Sequence, residues 1–367
     1  MAEQYMTALF RDIQYRGNRE QVKGTRKLKT IYFWWGTPLL LGSHYLISIL
    51  EEIEKYFDTK DLQELTIECN PYPYAETLAS VQHIMQTYAH IPRVRFSFGI
   101  QSLDDETLQQ SGRDCTFAGM QQFTKDLLAI KTSNALYNYD FLSFGNGVQH
   151  QQRLADLIAS KQIDSYSLYT LELFAWAKRY HETKDPLIAY QAPWDHDLPF
   201  ASSQDSVLQD FDTIRSLFLA WWYGRYEISN YALPGKESLH NQVYWTMGEY
   251  IGIWLGAHWY IHGNDQTYRT ESTWWWKQYV TATPEQIYKS TPSNQEDILI
   301  ESLFLGLRQQ KWVVLSNYTS VLYDNRLEKV AMMVEHWLAT YADNMLQLTD
   351  AGMNVHHQVC TYLMKTI

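Results

Sequence analysis

The sequence predicts an α/β fold organised on a parallel sheet, and three observations carry that expectation. Short runs rich in β-branched and aromatic residues, at 28–33, 65–69, 94–100, 136–142, 165–171 and 226–228, alternate with longer amphipathic stretches. The runs recur at roughly 30 to 40 residues, room for a right-handed crossover with one helix in it. Apolar residues between them fall at three- and four-residue steps, the stripe of a helix laid on a sheet. Barrels and doubly wound sheets share this pattern, so periodicity alone does not choose between them.

Element by element, Leu46, Ile49, Leu50, Ile53 and Tyr56 mark the helix after the first strand, and Val207, Phe211, Ile214, Phe218 and Trp221 mark the helix before the last. Segment 185–203, with Pro186, Pro193 and Pro199, reads as a loop, and 281–294, with Pro284 and Pro292, as a second break. Helices are expected at 296–308 and 328–341, the latter striped by Val330, Met333, Val334, Trp337 and Tyr341. A strand, a turn at 350–352 and a closing helix follow. The division expected is a domain over 1–265 and a small, mostly helical one over 290–367.

Charge narrows the function. Thirty Lys and Arg against 41 Asp and Glu give a net charge of −11, which disfavours general binding to nucleic acid or to anionic membrane surfaces. The closing helical segment, 347–367, holds one basic residue, Lys365, and does not read as a DNA-binding module. Cys69, Cys115 and Cys360 are too scattered for a disulfide framework, and the opening MAEQ lacks a signal-peptide layout. The most apolar run, 33–50, is interrupted by Gly36, Pro38, Gly42, Ser43 and His44, short of the roughly 20 apolar residues of a membrane helix. These features predict a cytoplasmic protein without stable membrane insertion, acting on a small molecule or a protein. No GxSxG, HExxH, P-loop or strand-linked GxGxxG supports hydrolytic or nucleotide chemistry.

One segment stands out chemically: His240, Asn241, Tyr244 and Trp245 form an HNxxYW core. An imidazole with a free ring nitrogen, an amide, a phenol and an indole within six residues can ligate and stack a flat ring, and heme or another porphyrin, with His240 as metal ligand, is one reading. The other is that the aromatics pack and His240 bonds a nearby carbonyl. Spacing leaves both open. His356 and His357, with His258 and His240, could hold a metal, but adjacent histidines on a helix point in different directions and read better as a solvated face.

The surrounding landmarks resemble the oxygen-independent coproporphyrinogen III oxidase family of radical S-adenosylmethionine proteins, most nearly its heme-chaperone branch, HemW. YEISN at 226–230, the Pro234-Gly235 turn, HNxxYW and Gly256-Ala257-His258 carry the likeness, with TIYFWWGTP at 30–38, TIECNP at 66–71, VRFSFGIQSLDD at 94–105, ESLFLGLR at 301–308 and LTDAG at 348–352. It covers nearly the whole chain and implies a partial (β/α) barrel of the radical-SAM type, followed by a small, winged-helix-like C-terminal domain. In the family a CxxxCxxC loop holds a four-iron four-sulfur cluster. That motif is absent here, and YMTALFRDIQ resembles the helix that follows it.

The resemblance also implies a cosubstrate pocket. Gly36 and Thr37 match the end of the family's glycine run, where Trp34 and Trp35 replace glycines and are expected to fill the pocket or turn into the core; Trp254 replaces a glycine in a later stretch. Glu68 and Asp140 match acids near the cosubstrate ribose, Gln101 the glutamine of GIQS, and Arg113 an arginine that pairs with the cosubstrate carboxylate. His240, Asn241, Tyr244 and Trp245 match the heme-handling segment. The expected function is a heme chaperone that binds heme or porphyrin on a degenerate barrel and passes it to a protein. The alternatives are a coproporphyrinogen III oxidase-like enzyme, if a longer native chain supplies the cluster loop, and an inert pseudoenzyme or redesigned barrel. S-adenosylmethionine and the cluster come from the family and are in doubt for this chain.

Overall fold

The computed structural model of the chain describes residues 2–18, 27–34, 37–144, 151–170, 204–262 and 266–365. Seven strands, β1 (Thr30–Phe33), β2 (Glu64–Cys69), β3 (Val94–Gln101), β4 (Ala135–Ser143), β5 (Ser165–Thr170), β6 (Gly224–Glu227) and β7 (Asn230–Ala232), form one sheet in the order β1-β2-β3-β4-β5-β7-β6. The first five pair in parallel, each next to its successor in sequence. That run of neighbours curls into a half-barrel, and the expected α/β class is met.

Helices α1 (Ala2–Asn18), α2 (Ser43–Tyr56), α3 (Tyr74–Thr87), α4 (Asp105–Gln110), α5 (Phe117–Ala129), α6 (Gln151–Ala159) and α7 (Gln204–Ala220) flank the sheet. Because strand side chains alternate between faces, each strand splits into an apolar and a polar row. Leu65 and Ile67, Phe96 and Phe98, Tyr137 and Tyr139, and Tyr166 and Leu168 are buried in one core with Ile49, Ile84, Phe123, Leu154, Ile214 and Phe218 from the helices. The opposite row, Thr30 and Tyr32, Glu64 and Glu68, Arg95 and Ser97, Asn138 and Asp140, Ser165 and Ser167, lines the concave side. A polar concave face is affordable only if its groups bond one another, since an unpaired buried polar group is costly. They do: Arg95 donates to Ser165 at 2.6 Å, Ser165 to Asn138 at 2.7 Å, and Asn138 to Ser97 and Ser167 at 2.9 Å each.

Several expectations need correction. The strand expected at 226–228 is a hairpin, β6 and β7, with β7 antiparallel to β5. The guanidinium of Arg225 holds its turn, donating to the carbonyl of Ile228 at 3.1 and 2.8 Å. Trp221 lies beyond the end of α7 and is 39% exposed, so the stripe stops at Phe218. The break at 281–294 contains a short helix, Pro284–Ile287, and a strand, Tyr288–Pro292. That strand pairs with Thr267–Ser272, which pairs in turn with His258–His262, so this second sheet spans the boundary drawn at 265. Segment 185–203 lies outside the described residues.

The second sheet pins α1. Arg16, fully buried, sits 3.7 Å from the Trp259 ring and 3.5 Å from that of Tyr288, beside Asp12, which accepts from the hydroxyls of Tyr279 (3.0 Å) and Tyr288. The C-terminal part has its own core, with Leu303, Leu307, Leu346, Met353 and Leu363. It is mostly helical, as expected, and Val313–Val314, Ala339–Ala342 and Met345–Leu348 make a three-stranded sheet beside the helices. The helix expected over 328–341 spans Arg326–Glu335 and stops where Trp337 takes a left-handed φ of 58°, which leaves Trp337 exposed and Tyr341 in a strand. The expected turn at 350–352 is the first turn of a helix capped by the Thr349 hydroxyl.

Candidate functional site

The residues singled out in the sequence gather at two ends of the half-barrel. Glu68, Gln101, Arg113 and Asp140 meet at the C-terminal ends of β2, β3 and β4, where parallel sheets generally hold ligands. Gln101 sits at a register shift with φ 67°, the left-handed region, which turns it off the strand line. Beneath it Gly99 leaves room: a Cβ there would stand 2.9 Å from Nε2 of Gln101 and 3.7 Å from the Arg113 guanidinium. Arg113 donates to Oδ1 of Asn70 at 3.4 Å, and burial lowers its pKa. Asp140 accepts from Asn138 at 2.7 Å and Ser97 at 3.0 Å; burial nevertheless raises its pKa to about 6. Tyr32 donates to Glu68 at 2.9 Å.

Thr37 precedes a short 3-10 turn with φ 62°. Gly36 and Trp35 lie outside the described residues. Trp34, expected in the pocket or the core, is in neither: 69% of its surface is exposed. Trp254 packs edge-on against Tyr5 of α1 at 4.0 Å and against Tyr279 at 5.7 Å, which assigns it to the seam with α1.

HNxxYW is at the other end. Helix α8 (Leu239–Trp245), capped by Ser238, lies against the first residues of β1 and β2. Its distance from the rim follows from the strands: Glu64 and Glu68 are four residues apart, about 13 Å. The backbone N–H of His240 donates to Oε1 of Glu64 at 3.0 Å, and the Ser238 hydroxyl donates to the same oxygen at 3.3 Å. Arg93 and Arg95 approach the other oxygen of Glu64 at 3.3 and 3.8 Å. The imidazole has no free nitrogen, contrary to expectation: Nδ1 bonds the Thr30 hydroxyl and Nε2 the Tyr244 hydroxyl, each at 2.8 Å. Its partners are hydroxyls rather than the carbonyl of the packing alternative. Burial lowers its pKa to about 4, so the ring is neutral at physiological pH.

The rest of the motif faces two ways. The side chain of Asn241 bonds Glu227, as does that of Asn230, so the YEISN and HNxxYW segments interlock through one buried carboxylate. Trp245 reaches the C-terminal part, where Arg308 lies 4.5 Å from its ring and Gln309 donates to its carbonyl at 3.1 Å. The Tyr32 ring stands edge-on to His240 at 5.1 Å, which links the two ends of the lumen. Sequence reading missed Glu64, Tyr32, Ser97 and Asn138. Polar residues on alternate positions of otherwise apolar strands were the signal that could have found them.

His356 is corrected as well. It is buried rather than solvated, bonded through Nε2 to the carbonyl of Phe304 at 2.9 Å and close to Cys360 at 3.4 Å.

A parallel half-barrel with acids, an amide and an arginine at its strand ends is the class of fold on which radical S-adenosylmethionine proteins are built. No family model matches the sequence. Curated relatives do: the chain is 24% identical over 341 residues to the heme chaperone HemW of Lactococcus lactis subsp. lactis, covering 91% of this chain and 84% of that protein. It is 28% identical over 359 residues to HemW of Synechocystis sp., covering 93% and 79%. Among solved structures, Escherichia coli coproporphyrinogen III oxidase (HemN), a radical SAM enzyme, superposes with a TM-score of 0.74 at 16% identity, over 98% of this chain and 82% of that one. The chain is thus similar over most of its length to HemW-like radical SAM proteins.

The likeness to radical SAM proteins suggests S-adenosylmethionine and a four-iron four-sulfur cluster as cofactors, and the residues present treat the two differently. The rim supplies the groups a nucleoside and an amino acid require. A cluster requires thiolates, whereas Cys69, Cys115 and Cys360 are free, buried and held protonated by burial, Cys360 with its pKa raised to about 12. Among the described residues no three metal-binding side chains come together. The cluster does not fit the donors of this chain.

Proposed function

We propose that this chain is a heme chaperone, binding heme or a related porphyrin beside α8 and passing it to a heme-accepting protein. Relatives that it matches over most of its length include heme chaperones. The observation that carries the reading is the state of His240: a neutral imidazole, the form that ligates iron, whose Nε2 is closed by a single phenol. Tyr244 has to swing away for that nitrogen to reach iron. Tyr244 and Trp245 supply aromatic surface, and Asn241 sets the helix on Glu227. No described helix is long and apolar enough to cross a membrane, and we place the activity in the cytoplasm.

Hemin titration tests it. A Soret band that saturates with the native chain and is lost or shifted in His240→Ala supports the reading; an unchanged hemin spectrum removes it.

The rim supports a second binding function. Glu68 and Asp140 can accept from ribose hydroxyls, and Arg113 can pair with an amino-acid carboxylate, with Gln101 beside it. S-adenosylmethionine is the ligand of that shape. Calorimetric titration with S-adenosylmethionine decides it.

A further inference from the structure

Helix α8 ends against Arg308, the last residue of the ESLFLGLR segment, and the surroundings of that guanidinium are short of an acceptor. Arg308 lies over the Trp245 ring at 4.5 Å. Nε of Arg308 and Nε1 of Trp245 are both buried N–H donors without a hydrogen-bond partner. Among the described residues no carboxylate stands within ion-pair distance of Arg308, although other arginines on this side are matched: Arg225 reaches Asp350 at 3.5 Å and Arg269 pairs with Glu301. The acid nearest in electrostatic influence, Glu227, stands beyond ion-pair distance: its Oε1 accepts from Asn230, and its buried Oε2 has no hydrogen-bond partner of its own. One positive charge and two unused donors therefore adjoin the HNxxYW aromatics. Leaving buried donors unmade is unfavourable, and the missing group is an anionic oxygen ligand from outside the chain.

We propose that Arg308, backed by Trp245, anchors a carboxylate of the bound porphyrin, a propionate in the case of heme. The proposal rests on the heme-binding reading above and adds the group that orients the ring. Heme offers iron at its centre and carboxylates along one edge. His240 and Trp245 are five residues apart on one helix, about 7.5 Å along its axis, so α8 presents an imidazole towards one end and the arginine towards the other. A guanidinium fork matches a carboxylate in two parallel bonds, and the indole face holds the fork in place while offering apolar surface to the ring. The anchor also lies in the C-terminal part, so the two parts of the chain share the ligand.

Hemin and hemin dimethyl ester differ only in whether the carboxylates are free, and titrating the full chain with both, followed at the Soret band, tests the anchor. The unmodified chain is expected to bind hemin at least about tenfold more tightly than the ester, about 1.4 kcal/mol. Arg308→Gln should lose affinity for hemin by that factor and keep its affinity for the ester, and Arg308→Lys should retain part of the preference. Equal binding of hemin and ester by the unmodified chain, or equal weakening of both in Arg308→Gln, overturns the anchor and leaves the heme reading intact. Absence of a Soret response to either probe overturns both. The comparison of probes on the unmodified chain needs no substitution, so it stands even if Arg308→Gln folds poorly.

Discussion

The Tyr244 hydroxyl stands 2.8 Å from Nε2 of His240, on the lone pair or proton through which that imidazole would otherwise meet a ligand. The ring is braced on its other side by Thr30, also at 2.8 Å, so of the two bonds the one within α8 can open without moving the helix from the sheet.

Tyr244→Phe removes the competing hydroxyl and keeps the ring. A hydrogen bond of this kind is worth about 0.5–1.5 kcal/mol net, so hemin affinity is expected to rise by roughly two- to tenfold in Soret titration. Weaker binding would instead make the phenol a direct contact of the ligand.

Glu64 holds α8 in place. Its carboxylate is fully buried, accepts from the backbone of His240 and the hydroxyl of Ser238, and faces two guanidinium groups. Removing one partner of a buried ionic cluster strands the others, at about 3–5 kcal/mol. Glu64→Ala is expected to lose stability on that scale in urea unfolding, with Glu64→Gln milder because it keeps one acceptor oxygen. A loss below about 1 kcal/mol for Glu64→Ala would mean that water replaces the carboxylate.

The half-barrel was legible because its strands are long enough for period-two alternation and its helices carry clear stripes. Val94, Phe96 and Phe98 could be placed in a core without any structure. What local pattern could not reveal was pairing across the chain. The 226–228 run looks like one more parallel strand until Arg225 is seen to close a hairpin onto Ile228, and the 328–341 stripe looks continuous until Trp337 turns left-handed. The site was half legible for the same reason: HNxxYW and the rim residues were visible as residues, but their separation to opposite ends of β2 depends on register. Glu64, which joins α8 to the sheet, lies 176 positions from His240.

Acid should weaken the fold through its histidines. Burial holds His240 and His356 at about 4 against a usual value of 6.5. As pH falls from 6.5 towards 4 the unfolded chain takes up protons that the folded chain refuses, and stability is lost, up to about 3 kcal/mol for each ring. Asp140 works in the opposite direction: its pKa, raised from 3.8 to about 6, lets the folded chain take up a proton first as pH falls through 6. Burial raises the carboxyls of Asp12 and Glu227 as well, so they act in the same direction as Asp140, and the histidine contribution is read by difference: between pH 6.5 and 4 the urea midpoint of His356→Gln should lose less, relative to its value at pH 7, than that of the unmodified chain. The same pH dependence in both chains would mean that the His356 ring titrates as if exposed.

Gly99→Val separates the two ends of the lumen. The first carbon it adds would stand 2.9 Å from Nε2 of Gln101, which has to shift, and 3.7 Å from the Arg113 guanidinium, in ordinary contact with it. Valine suits a parallel strand, and the φ of Gly99 lies outside the left-handed range, so the backbone is not strained. The rim lies about 13 Å along β2 from Glu64 and α8, and distant sites add independently. Calorimetry is expected to show S-adenosylmethionine binding weakened at least about tenfold, about 1.4 kcal/mol, with the hemin Soret titration unchanged. Loss of both would mean that the ligands share one cavity through Tyr32, which touches His240 with its ring and Glu68 with its hydroxyl. In that case Tyr32→Phe, which keeps the ring and removes the hydroxyl, should weaken S-adenosylmethionine binding alone.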